Sequence, residues 1–193
     1  MDLTQGTEKE KNARAKKMML WFGIISLLMG FAGWTSAFIV SSSREDWLTD
    51  FQLPEAFYYS TIVIILSSLT YILAKRAVKK DDQKASTWWL YATFILGIVF
   101  VVLQFRGFSE IIAQGYYFTG PTSNITMSYI FLIAAVHVVH VAAGLISLVV
   151  VLWNHLRKKY TPQAYVGMEL GATFWHFVDL LWVYLMLFFY FFQ

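Results

Sequence analysis

Five apolar stretches, none shorter than eighteen residues, decide what this chain can fold into. They cover about residues 18–40, 56–73, 86–105, 125–153 and 168–192. A helix rises about 1.5 Å per residue, so roughly twenty apolar residues cross the ~30 Å hydrocarbon core of a bilayer. Backbone amides in lipid have no water to bond to, so each run must satisfy its own by forming a helix. Composition agrees: 58% of the residues are hydrophobic and only 14% charged, against about 25% charged in soluble domains. The expected fold is all-α, an integral membrane bundle of five transmembrane helices formed as one domain by residues 18–193. A basic segment, residues 1–17, precedes it and is expected to be frayed or interfacial. The first run is too long for the apolar core of a signal peptide, and no convincing small-x-small cleavage site follows it, so it is expected to stay in the membrane.

The connections are polar and carry most of the charge. Residues 41–55 form an acidic loop closed by Pro54, and Lys75, Arg76, Lys79 and Lys80 stop the second run. Trp88-Trp89 opens the third, as an interfacial aromatic belt would. Residues 106–125 hold Gly107, Gly115, Gly120 and Pro121 as helix breakers. The fourth run is longer than a span needs, which implies tilt or extension into the interface. A short basic loop with Arg157, Lys158, Lys159 and Pro162 leads to the last run. Thirteen of the fifteen Lys and Arg residues fall in alternate segments, leaving only Arg44 and Arg106 in the others. The positive-inside rule then places the N-terminus in the cytoplasm and the C-terminus outside, in a multi-pass protein of the cell inner (plasma) membrane.

The chain has no cysteine. That excludes a covalently attached c-type haem, a thiolate-held iron–sulfur cluster and a cysteine-bridged copper pair. The net charge of +3 resides in membrane-flanking segments, so no nucleic-acid partner is expected.

Ionisable residues inside apolar runs are costly, about 2.5–3.5 kcal/mol for an aspartate near mid-helix on a conservative scale. The last run carries His176 and Asp179 three apart, with Glu169 seven residues before His176. At 3.6 residues per turn the three share a fan of roughly 80°. His137 and His140 sit near the middle of the fourth run, and the short following loop makes runs four and five antiparallel neighbours. His155 follows that run, beside Arg157, and reads as interfacial. One reading of His137, His140, Glu169, His176 and Asp179 is a buried hydrogen-bond network pairing helices four and five. A second is a proton-handling or lipid-headgroup site. A third is a metal or haem site, although His-x-x-His is a weak motif and no second histidine pair exists. On the second run Ser60 and Ser67, and Thr61 and Ser68, are seven apart. Hydroxyls so spaced let helices approach and share hydrogen bonds, and Gly23, Gly30 and Gly33 on the first run allow the same approach. A substrate pathway along the hydroxyls is the other reading. Asn124-Ile125-Thr126 also matches a glycosylation sequon.

Phe174-Trp175-His176-Phe177-Val178-Asp179 followed by Leu180-Leu181-Trp182 resembles the closing signature of subunit III of the haem-copper terminal oxidases. His137-Val138-Val139-His140-Val141-Ala142-Ala143-Gly144 resembles that family's His-x-x-His-Val-x-x-Gly segment, and Glu169 stands where the family has a glutamate. Leu53-Pro54 leading to Ser60-Thr61 and Ser67-Ser68 resembles the helix after its first external loop. With five helices the chain is similar to the short form, which lacks the two extra N-terminal helices of the longer one.

The resemblance implies a non-catalytic subunit of a proton-pumping oxidase in aerobic respiration, supporting assembly, stability and sustained proton uptake. It implies no catalytic, cofactor or metal residues here, with haem and copper in the partner subunits and bound phospholipid on this one. Subunit I is then the main partner and subunit II the other, with membrane lipids around them. Cytochrome c is the expected electron donor, with a quinol oxidase as the alternative. From another class, a stand-alone membrane haem b electron carrier would use the histidines. The chain departs from the family pattern at Ile25-Ser26-Leu27-Leu28, where many relatives carry an acidic residue, so a proton role for that acid does not carry over.

Overall fold

The computed structural model describes residues 6–48, 52–120 and 123–192. They form five long helices: α1 (Glu8–Ser41), α2 (Glu55–Lys79), α3 (Gln83–Ala113), α4 (Ile125–Leu156) and α5 (Val166–Phe191). Each is long and apolar enough to cross a membrane. The chain is an all-α, multi-pass membrane bundle.

The helices outrun their apolar cores. α1 starts ten residues before Met18, so residues 8–17 are helical and not frayed. Thr7 and Glu10 form a capping box there. The Glu10 amide donates to Thr7 Oγ1 at 3.4 Å and the Thr7 amide to Glu10 Oε2 at 2.8 Å, satisfying amides that a helix start otherwise leaves open. α2 runs through Lys75 and Arg76 to Lys79 and stops where Asp81 turns left-handed, φ 61°. The Asp82 carboxylate then accepts from the Ala85 amide at 3.0 Å and starts α3. So tight a turn makes α2 and α3 the most closely packed helix pair.

Gly107 is not a breaker. α3 continues through it to Ala113, and a Cβ there would collide with the Phe57 ring of α2. Its missing side chain is a seat for an aromatic. Gly115 and Gly120 do end the regular structure, each with positive φ, 88° and 117°, which glycine adopts freely. Pro121 lies outside the described residues. Asn124 caps α4, its Oδ1 accepting from the Thr126 amide at 2.8 Å while its Nδ2 donates to the Asp46 carbonyl at 3.1 Å. The sequon asparagine is thus engaged in structure.

α2, α3, α4 and α5 form a closed ring of contacts, α2 against α3, α3 against α4, α4 against α5 and α5 back against α2. α1 packs only on α4 and α5. α5 is the helix with the largest buried share. Its Trp175, Val178, Trp182, Leu185 and Phe189 meet Phe57, Ile64 and Tyr71 of α2, Leu90 and Phe100 of α3, and Ile130, Ile133 and Val141 of α4 in one core. Two glycines admit Trp175. A Cβ on Gly97 of α3 would lie 2.8 Å from its ring, and one on Gly144 of α4 would lie 3.1 Å away. On α1, by contrast, Gly23, Gly30 and Gly33 have nothing within 4 Å of where a Cβ would sit. No helix of this chain uses the close approach they allow.

Candidate functional site

The polar side chains of the bundle gather where α5 meets α2. Ser60, Thr61, Ser67 and Ser68 of α2 each receive a side chain from a neighbouring helix. Gln104 of α3 donates to Ser60 Oγ at 2.8 Å. The Trp182 indole donates to Thr61 Oγ1 at 3.0 Å, and the Trp175 indole to Ser67 Oγ at 3.1 Å. Ser68 Oγ and His176 Nδ1 are 2.6 Å apart. Trp175 and Trp182, seven apart on α5, thus bond to Ser67 and Thr61, six apart on α2 and one from each heptad pair, so the two helices are tied at two levels. Such bonds between helices in lipid are worth about 0.6 kcal/mol on average and up to about 1.7.

Direct pairing between α4 and α5 among His137, His140, Glu169, His176 and Asp179 does not form. The reason is angular. Trp175 and Trp182 take the side of α5 that faces the core. Glu169 and His176 lie roughly 100–120° around the helix from Trp175, and Asp179 about 40°. The polar fan is thereby turned from α4 toward α2 and α1.

Glu169 pairs with Lys17 of α1, Nζ to Oε2 2.8 Å, with both side chains partly exposed. A pair so placed is worth roughly 0–1 kcal/mol. Lys75, Trp21 and Thr173 join them around an open crevice of about 230 Å³. Further in, His176 binds Ser68 and rests against the Tyr71 ring at 5.9 Å. Asp179 is 4% exposed, and neither of its carboxyl oxygens has a hydrogen-bond partner among the described residues.

On α4 the histidines go separate ways. His137 is fully buried among Trp182 at 5.2 Å, Phe100 at 6.1 Å and Phe31 at 6.3 Å, with neither ring nitrogen hydrogen-bonded. His140 folds back on its own helix, Nδ1 2.7 Å from the Val136 carbonyl. His155, read from sequence as interfacial, is buried. Its Nε2 lies 3.0 Å from Thr87 Oγ1 and ties the end of α4 to the start of α3. Among the described residues no three His, Cys, Asp or Glu side chains converge as a metal site would require.

Sequence reasoning missed Lys17, Gln104 and the two indoles as polar partners. Gln104, a lone amide in an apolar run, carried a readable signal, because such a group must find a partner in lipid. Lys17 carried none, its partner being far along the chain.

A family model described as cytochrome c oxidase subunit III matches residues 46–193, which take in α2 to α5. Among curated proteins, the cytochrome bo(3) ubiquinol oxidase subunit 3 of Pseudomonas aeruginosa is 32% identical over 133 residues, 69% of this chain and 62% of that protein. The cytochrome c oxidase subunit 3 of Spodoptera frugiperda is 31% identical over 138 residues, 70% of this chain and 86% of that one. The corresponding Thermostichus vulcanus protein is 28% identical over 164 residues, 83% and 79% of the two chains. The chain spans less than two thirds of the Pseudomonas aeruginosa relative's length.

Proposed function

The chain belongs to the cytochrome c oxidase subunit III family, and from that premise we propose that it is the non-catalytic third subunit of a proton-pumping haem-copper oxidase in aerobic respiration. It binds the larger, haem- and copper-bearing subunit I as main partner and subunit II beside it. Its contribution is to assembly, stability and sustained proton uptake. The observation that carries this reading is the family match across α2–α5, whose closing signature supplies Trp175, His176, Asp179 and Trp182. The geometry supports it. Trp175, Trp182 and His176 are spent on bonds that lock α5 to α2, a use suited to a scaffold. His137 is enclosed by aromatic rings and His140 is bonded to its own helix, an arrangement that does not favour a haem b carrier.

Cytochrome c is the donor in our reading. A quinol oxidase is the second reading, favoured by relatives of both names at 31–32% identity. Purification in mild detergent tests both. This chain should emerge in equal amount with a haem-bearing subunit, and the preparation should oxidise reduced cytochrome c. Oxidation of quinol alone would move the assignment to the second reading. Absence of any haem protein would overturn the assignment.

The bundle sits in the cell inner membrane with its N-terminus cytoplasmic and its C-terminus outside, a placement supported by the thirteen-to-two division of basic residues. Reporters fused after residues 50 or 115 should read as external, and those after 80 or 160 as cytoplasmic. An external signal at 80 would reverse the orientation.

A further inference from the structure

We propose that the cleft between α2 and α5 is a docking site for a transmembrane helix of a partner subunit, which places a side chain bearing N–H or O–H donors against Asp179. The inference rests on the oxidase-subunit reading above and names the surface through which that contact is made. The cleft is about 390 Å³ and is lined by Ser68, His176 and Asp179 at its floor and by Ile65, Leu69 and Leu180 among its walls. Asp179 is buried to 4% exposure with both oxygens unbonded, and the Nε2 of His176 likewise has no partner. Ser68 Oγ, 2.6 Å from His176 Nδ1, shares the cleft floor with Asp179, and its one O–H proton can serve at most one of the two carboxyl oxygens. His137 is also unmet but is enclosed by aromatic rings, whereas Asp179 opens onto a cleft, where something else can supply the bond.

Depth and lining select the occupant. Asp179 is the fourteenth residue of the 26-residue α5, so it stands near mid-helix, roughly 15 Å from either headgroup region. Acyl chains reach that depth but carry no donor. One buried water occupies about 30 Å³, far less than the cleft, and the apolar walls offer water few further partners. A second copy of this chain, docking the same face symmetrically, would bring two Asp179 carboxyls together. A foreign helix with a donor side chain fills the volume and meets the carboxyl, and hydrogen bonding of this kind is a principal means by which helices associate in lipid. The rim is ready for such a contact: Leu180 is 69% exposed, Leu69 51% and Ile65 45%.

The absence of native cysteine makes the test direct. Leu180→Cys and Ile65→Cys are labelled in native membranes with a thiol-reactive benzophenone and irradiated, with Trp88→Cys on α3 as the distant control. Rim positions should give an adduct with another membrane polypeptide. Adding Asp179→Leu should lower both that adduct and the amount of chain retained on the purified complex by about three- to tenfold. Asp179→Asn preserves side-chain shape and hydrogen-bonding ability, and should retain most of both, which separates docking from a general failure to fold. Undiminished adduct with Asp179→Leu overturns the role of the carboxyl. Lipid-only or self adducts in a chain that still co-purifies with haem protein overturn the docking site and leave the subunit assignment standing. A chain that accompanies no haem protein overturns both.

Discussion

Replacing Trp175 by alanine will destabilise the bundle by about 3 kcal/mol. The side chain is 1% exposed, wedged over Gly97 and Gly144 and bonded to Ser67 at 3.1 Å. In soluble cores such a truncation loses a transfer term as well as leaving a cavity, but lipid is as apolar as the core, so the transfer term falls away. The cavity term remains, about 24 cal/mol for each Å³ across a side chain roughly 140 Å³ larger than alanine. Trp175→Phe keeps a ring and gives up the indole donor. Against Ser67→Ala it should show a coupling near 0.6 kcal/mol, at most about 1.7. Reversible unfolding in mixed micelles measures all four variants. An alanine loss under about 1 kcal/mol would mean that neighbouring side chains collapse into the gap.

Removing the whole subunit should produce the other large effect, and a selective one. The assignment places every redox centre in partner subunits, so an oxidase assembled without this chain should keep its haem spectrum and its initial turnover. What should fall is the duration of activity under continuous turnover, together with the yield of assembled complex. Stopped-flow spectra and long oxygen-consumption traces of the same preparation check the two halves. Loss of a haem band from otherwise assembled enzyme would mean that this chain ligates it, and the scaffold reading would be wrong.

The number of helices and the prominence of α5 were legible because run length and intramembrane charge are local properties of the sequence. The capping box was equally local, Thr7 with Glu10 three residues on, yet a rule keyed to hydrophobicity passes over it and starts α1 at Met18 instead of Glu8. Gly107 shows the reverse error: a residue that reads as a breaker is a seat for Phe57. The polar network was half legible. Spacing places Glu169, His176 and Asp179 on one fan of α5, but spacing cannot say which helix that fan meets. The two tryptophans decide it by claiming the core side, which sends His176 to Ser68 and Glu169 to Lys17.

The attachment of α1 has a temporal consequence. Its backbone packs on α4 and α5 and not on α2 or α3, and polar links from it reach Tyr129, Glu169 and Tyr184, the last 149 residues beyond Thr35. Ribosomes add roughly 5–20 residues per second, so α1 would wait about 7–30 s after its own synthesis for α5, the more extensive of its two partners. Until α4 emerges, partway through that interval, none of the helices that α1 packs against in this chain exists. α1 is therefore seated in two steps, first on α4 and then on α5, and a ribosome stalled before α5 would leave it held by α4 alone.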